Sequence, residues 1–362
     1  MARFLSLYLP QFHPVIENDE WWGKGFTEWT NVARARKLFP GHQQPNVPSD
    51  LGFYDLRMSE IREAQAQMAR EAGIEGFCYW HYWFGNGKQL LEKPFNEVLA
   101  SGKPDFPFCL AWANESWYKK LWNINDTQKD ELLIEQLYLG EVDCVNHFNS
   151  LLPAFKDERY IKVNGKLFFI IYNAADSPEI PNIIKIWRRL AKESGLNDFY
   201  FVAKVFDCRR ENEYLKLGFD AVYNDNSLNI HHHSSTFKKA TLMLGRKFFG
   251  IPSVFQYKKA IKYMITDDCY RTGVIPVVAP NWDHTPRSRG NGLVLHNSKP
   301  EYFGKVLKSA ICAVENKPKE EQIIIVKSWN EWGEGNYMEP DLKHGKGYLN
   351  IMKNIVFADK QK

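Results

Sequence analysis

Two carboxylates spaced i and i+3 stand in Ser328-Trp329-Asn330-Glu331-Trp332-Gly333-Glu334-Gly335. Ionisable groups beside indole rings are partly desolvated, which can push one carboxyl pKa up and leave the other ionised. Acid-base work on a sugar needs such a pair. The rings of Trp329 and Trp332 also supply flat apolar platforms for sugar faces. Gly333 and Gly335 free the backbone to turn tightly there. The competing reading is an acidic turn whose tryptophans close the core.

An apolar β-branched run at 322–326 precedes the motif and reads as a buried strand. Similar runs lie at 4–9, 74–83, 106–112, 166–172, 199–206, 219–223 and 274–279. Helix patterns separate several of them. Ser59 is the expected N-cap of one that ends at Gly73, residues 180–194 form a second that stops at Gly195, and 301–315 form a third. This alternation predicts an α/β fold, a single (β/α)8 TIM barrel forming one catalytic domain over residues 1–362. A doubly wound sheet is disfavoured, because no glycine-rich phosphate loop follows the first strand.

Polar and aromatic residues concentrate just after the strands, as a barrel with its site at the C-terminal face requires. The first strand delivers Tyr8, Gln11 and His13, and the second delivers Tyr79, His81 and Tyr82. The third gives Trp112, Asn114 and Glu115, and the fourth gives Tyr172. Trp282 and Asp283 follow the seventh, and Trp329, Asn330, Glu331 and Glu334 follow the eighth. Glu28 and Trp29 come from a long first loop, residues 10–58, whose aromatic content argues against disorder. Together they predict a bowl suited to neutral polyols, with amides and carboxylates bonding hydroxyls. His81 reads equally as a core residue, and Glu115 and Glu28 as capping or binding groups. The His231-His232-His233 run reads as exposed loop, since consecutive side chains cannot converge on one metal. No nucleophile elbow exists, so serine-hydrolase chemistry is disfavoured.

The chain has 362 residues and a formal net charge of +4, which points to no nucleic-acid partner. Its 12 tryptophans and 17 tyrosines cluster in short runs, as on a carbohydrate-binding surface. The partner expected is an oligo- or polysaccharide substrate. Six scattered cysteines form no C-x-x-C, so neither a disulfide framework nor a zinc site is expected, and no cofactor or metal. No run approaches the ~20 apolar residues of a membrane helix, and no signal-peptide core is seen, so a cytoplasmic location is expected, or a periplasmic one for a trimmed chain. One basic insertion, residues 229–263 after the sixth strand, carries Lys238, Lys239, Arg246, Lys247, Lys258, Lys259 and Lys262. A lid, an anionic surface such as a membrane contacted peripherally, and a solvated helical face are the readings open to it.

Leu9-Pro10-Gln11-Phe12-His13-Pro14, Trp21-Trp22-Gly23-Lys24-Gly25-Phe26-Thr27-Glu28-Trp29-Thr30-Asn31 and Gly76-Phe77-Cys78-Tyr79-Trp80-His81-Tyr82-Trp83-Phe84 resemble the WbsX-like family, as do Trp112-Ala113-Asn114-Glu115 and Trp329-Asn330-Glu331-Trp332. The resemblance covers nearly the whole chain. That family is associated with O-antigen and other surface-polysaccharide (lipopolysaccharide) biosynthesis, its members are often labelled glycosyltransferases, and it is similar to glycoside hydrolase family 99, the endo-α-mannosidases. The resemblance implies a barrel and retaining chemistry on α-linked sugars of mannoside or rhamnoside type. It places the base on the sugar's own 2-hydroxyl at Glu331 and the general acid at Glu334. The chain departs from the family pattern in Ser116-Trp117-Tyr118-Lys119-Lys120, where an arginine is usual, and at His284, where asparagine is commoner. Sugar transfer from an activated donor and non-catalytic glycan binding are the alternatives. The absence of a clear Asp-x-Asp motif disfavours the first, and the intact glutamate pair the second.

Overall fold

The eight apolar runs become eight staves of a barrel in the computed structural model, which describes residues 2–119 and 131–358. They are β1 (Arg3–Tyr8), β2 (Gly76–Trp83), β3 (Phe108–Trp112), β4 (Lys166–Ile171), β5 (Phe199–Lys204), β6 (Ala221–Tyr223), β7 in two pieces (Val274–Ile275 and Val277–Val278) and β8 (Ile323–Val326). Most are apolar throughout because a parallel sheet ringed by helices buries both faces. Their pairing is parallel and runs in sequence order around the ring. Leu5 lies opposite Gly76 on one side of β1, and Arg3 opposite Ile323 on the other. The first piece of β7 pairs with β6 and the second with β8, which nearly closes the barrel. Pro276, which has no N–H to give a ladder, stands where the strand changes neighbour.

The helices lie where the patterns put them, with shifted ends. Ser59 is the first residue of helix Ser59–Ala72, not its cap, and Met58 occupies the cap position without a side-chain bond. Gly73 adopts the left-handed conformation (φ 90°) that stops it. Helices Ile180–Glu193 and Pro300–Val314 follow, and Lys93–Ser101, Gly140–Phe155 and Gly347–Ala358 join them.

The first loop is a folded cover on one barrel end. It contains short helices Ile16–Trp22 and Glu28–Arg34. Trp29 Nε1 donates to the Tyr54 carbonyl at 2.7 Å, and Tyr54 Oη donates to Glu339 at 2.9 Å. His42 and Gln44 both bond Asp283 Oδ2, at 2.8 and 2.7 Å, which ties the loop to the segment after β7. The insertion after β6 is largely helical: Asn229–His232, then Thr236–Phe249, stopped by Gly250 at φ 62°. Its strand Ser253–Gln256 pairs with Leu293–His296.

Candidate active site

The chain leaving β8 makes a short hairpin. Asn330–Glu331 pairs antiparallel with Asn336–Tyr337, and a tight turn, Trp332–Glu334, joins them. Two glycines make this turn feasible for different reasons. Gly335 sits at φ 53°, in the left-handed region. Gly333 is needed for space, since a Cβ there would lie 1.7 Å from Glu28 Oε1. The hairpin delivers Glu331 and Glu334 to a cleft of about 1420 Å³ at the C-terminal end of the barrel.

The two carboxyls are close enough to influence each other's protonation and have different partners. Trp80 Nε1, from β2, donates to Glu331 Oε1 at 2.9 Å. Arg287, on the short helix Thr285–Ser288, donates from Nη1 to Glu334 Oε1 at 2.7 Å and from Nε to Glu28 Oε1 at 2.9 Å. Lys327, the residue after β8, ion-pairs with Asp225 at 2.8 Å and lies 4.5 Å from the Trp282 ring centre.

These surroundings push the two acids apart. Burial, and then the charge of Glu334, raise Glu331 to about 8, despite Lys327 and Arg287 nearby. Burial would also raise Glu334, but Arg287, Lys327 and His284 outweigh it and hold it at about 2. The His284 ring nitrogen stands 3.8 Å from Glu334 Oε1. The pair thus favours sharing one proton, with Glu331 the member whose burial favours the protonated form. Arg287 is itself raised, because the charges of Glu28 and Glu334 exceed the cost of its burial. Among the described residues no group of three His, Cys, Asp or Glu side chains is placed to hold a metal.

The model of the family described as "Glycosyltransferase WbsX" matches residues 4–352. The chain belongs to the WbsX family. An uncharacterized protein named WxcX from Xanthomonas campestris pv. campestris (strain B100) is 34% identical over 359 residues, covering 98% of this chain and 50% of its own. WxcX of strain ATCC 33913 is 33% identical over the same share. The chain spans about half the length of the curated relatives it matches. A solved glycoside hydrolase-like protein superposes with a TM-score of 0.60 at 15% identity, covering 98% of this chain and 93% of that one. The GH99 endo-alpha-mannosidase of Bacteroides thetaiotaomicron, in complex with bis-tris-propane, gives 0.57 at 15%, covering 99% and 98%. The WbsX chain therefore shares the fold of these proteins.

Of the residues singled out from sequence, Gln11, Glu28, Tyr82, Glu115, Tyr172, Glu331 and Glu334 line the cleft. The others lie beneath or behind it. Tyr8 and Tyr79 pack together in the core, and Tyr8 Oη donates to Gln65 on helix Ser59–Ala72 at 2.6 Å. His81 bonds His147 on helix Gly140–Phe155 at 2.8 Å, and burial alone lowers it to about 3. His13 bonds the Pro10 carbonyl, Trp112 the Trp83 carbonyl, and Asn114 the backbone of Asn173. Asn330 clasps both backbone groups of Leu9. Trp29, Trp329 and Trp332 are buried, and Trp332 stacks on Tyr337 at 3.7 Å, so these rings are not exposed platforms. Trp282 lies under Lys327. Asp283 turns to His42, Gln44 and Thr285, which together with the Thr285 backbone N–H complete its bonds away from His284. Lys120, in the segment that departs from the family pattern, lies outside the described residues.

Strand geometry explains much of this sorting. Successive side chains point to opposite faces, so Trp80 and Tyr82 enter the cleft while Tyr79 and His81 face the helices. That alternation was the available signal for Trp80, which sequence reasoning passed over. Arg287 and Lys327 were also missed, and no local spacing marks them. The aromatic walls come from Trp22, Phe26, Trp117 and Tyr118 together with Trp80, Tyr82 and Tyr172.

Proposed function

We propose that this WbsX-family chain is a retaining, glycoside hydrolase-like enzyme acting on α-linked sugars of bacterial surface polysaccharide. The observation that carries this reading is the Glu331–Glu334 pair delivered by one hairpin turn into an aromatic-walled cleft, with Trp80 on one acid and Arg287 on the other, one acid raised and one depressed. Ordinary retaining enzymes use two carboxyls about 5–5.5 Å apart that flank the scissile bond. Here both leave one turn, so they address neighbouring groups of one sugar more readily than opposite faces of a bond.

Glu331 takes the proton of the sugar 2-hydroxyl as that oxygen attacks the anomeric carbon. The glycosidic bond breaks, and its oxygen leaves with the proton of Glu334. An acceptor hydroxyl, from water or a sugar, then opens the 1,2-anhydro ring and returns its proton to Glu334, while O2 recovers a proton from Glu331. In the free protein burial favours the protonated form of Glu331 over that of Glu334. These roles therefore require the proton to pass from Glu331 to Glu334, its neighbour on the same turn. Arg287 fixes Glu334 in place, and Trp80 does the same for Glu331.

The first-formed product should keep the anomeric configuration of the substrate, as read by proton NMR. A 2-deoxy or 2-fluoro analogue should be inert and leave no adduct on either glutamate. An inverted product, or an adduct found by intact-protein mass spectrometry, contradicts the mechanism.

Sugar transfer from a phosphorylated donor is the second reading. Arg34, Arg36 and Arg289 line the same cleft, and they offer charge to a phosphate or an acidic sugar. A product-resolved screen of surface glycans, with and without nucleotide sugars, separates the two readings. Turnover dependent on the nucleotide sugar favours transfer.

A further inference from the structure

The helix Thr236–Phe249 lies on the body of the protein by a side that carries Lys238, Lys239, Leu242 and Arg246, and turns most of its large apolar side chains outward. None of its residues is buried. Phe237, Phe248 and Phe249 are 80%, 67% and 77% exposed, and Met243 and Leu244 are also exposed. Phe237, Leu244 and Phe248 recur at helical spacing, so they share one face. Lys238 and Lys239 reach toward the body instead: the Lys238 ammonium sits 4.3 Å from the Phe255 ring centre, and that of Lys239 donates to the His232 carbonyl at 3.1 Å. A solvated surface helix has the opposite arrangement.

Charge identifies what this face meets. Between Asp225 and Asp267 the sequence holds no acidic residue, whereas it holds seven lysines and arginines within 229–263. Lys247, Lys258, Lys259 and Lys262 of the same insertion are exposed, and an apolar stripe accompanied by such cations and free of carboxylates suits the interface of an anionic bilayer, where rings enter the acyl boundary and cations meet headgroup phosphates. We propose that helix Thr236–Phe249 docks the protein on anionic phospholipid membranes. The placement has a consequence for the cleft. A Cβ on Gly290 would lie 2.3 Å from the Gly250 carbonyl oxygen, so the end of this helix is in backbone contact with the loop that follows Arg287. Membrane docking would thus hold the insertion and the cleft's Arg287 segment together near the lipid surface, where lipid-borne glycans are presented.

Flotation of the full chain with vesicles tests this. It should float with phosphatidylglycerol mixed with phosphatidylcholine, remain behind with phosphatidylcholine alone, and release in high salt. Phe237→Glu with Phe248→Glu, both at exposed positions, should weaken partitioning by at least about tenfold and leave the melting temperature and the hydrolysis of a small soluble glycoside unchanged. Failure to float with anionic vesicles, or equal flotation of the double variant, overturns the proposal. So does light scattering that shows a dimer which the double variant splits, because the face would then belong to a second copy. A wild-type chain that floats with anionic vesicles but hydrolyses no glycoside would instead count against the catalytic reading alone.

Discussion

Glu331→Gln and Glu334→Gln should each lower kcat by about 10²–10⁴-fold while the protein still folds. Glutamine keeps the shape of both side chains. At Glu331 it also mimics the neutral state that the free protein favours, and at Glu334 it leaves Arg287 its bond to Glu28. The loss at Glu331 should be the larger if that group drives formation of an intermediate. Stability supplies a second readout. A carboxyl raised in the folded state favours folding at low pH, and that advantage is lost as pH rises from the ordinary carboxylate range through about 8. Glu331→Gln should remove this decline, which thermal melts across pH can follow. Near wild-type turnover by either variant on the true substrate would remove the pair from the mechanism.

Arg287→Met should be as damaging, for a different reason. Arg287 joins two carboxylates, Glu28 and Glu334, through separate nitrogens. Without it, both stand in a largely dehydrated site, and breaking such a pair costs about 3–5 kcal/mol. The cost should shrink as pH falls and the stranded acids protonate. The pKa of Glu334 should rise from about 2, since Arg287 is the chief group that depresses it, so the acid limb of the kcat/KM profile should move to higher pH. Lysine should rescue poorly, because one ammonium cannot reproduce the fork that spans both acids. Wild-type stability and an unmoved acid limb in Arg287→Met would show that the bridge has no such role.

The barrel was legible because each strand is an apolar run and the helix between the first two strands stops at a recognisable glycine, Gly73. The eighth strand and its glutamate pair illustrate this. The run Ile323–Val326 marked the strand, and the residues after it had to emerge at the C-terminal face. What the one-dimensional pattern concealed was side-chain direction. Tyr79, Trp80, His81 and Tyr82 look equivalent in sequence, yet the pleat sends only Trp80 and Tyr82 to the cleft. Trp329 and Asn330, ahead of the turn, suggested a binding surface but serve to lock the hairpin to Leu9 and the core. Arg287 was invisible for another reason. Its partners are 259 and 47 residues away, and only folding brings them together.

The central claim is that the two glutamates act as base and acid on one sugar, with the proton passing from Glu331 to Glu334. Turnover of two matched α-glycosides, one with a poor leaving group and one with an activated aryl leaving group, measured on Glu331→Gln and Glu334→Gln, tests it most directly. The activated group departs without protonation, so Glu334→Gln should recover most of its rate on that substrate, while Glu331→Gln should stay inactive on both. Recovery by Glu331→Gln, with Glu334→Gln inactive on both, would contradict the account and assign the acid to the residue whose protonated form the free protein favours.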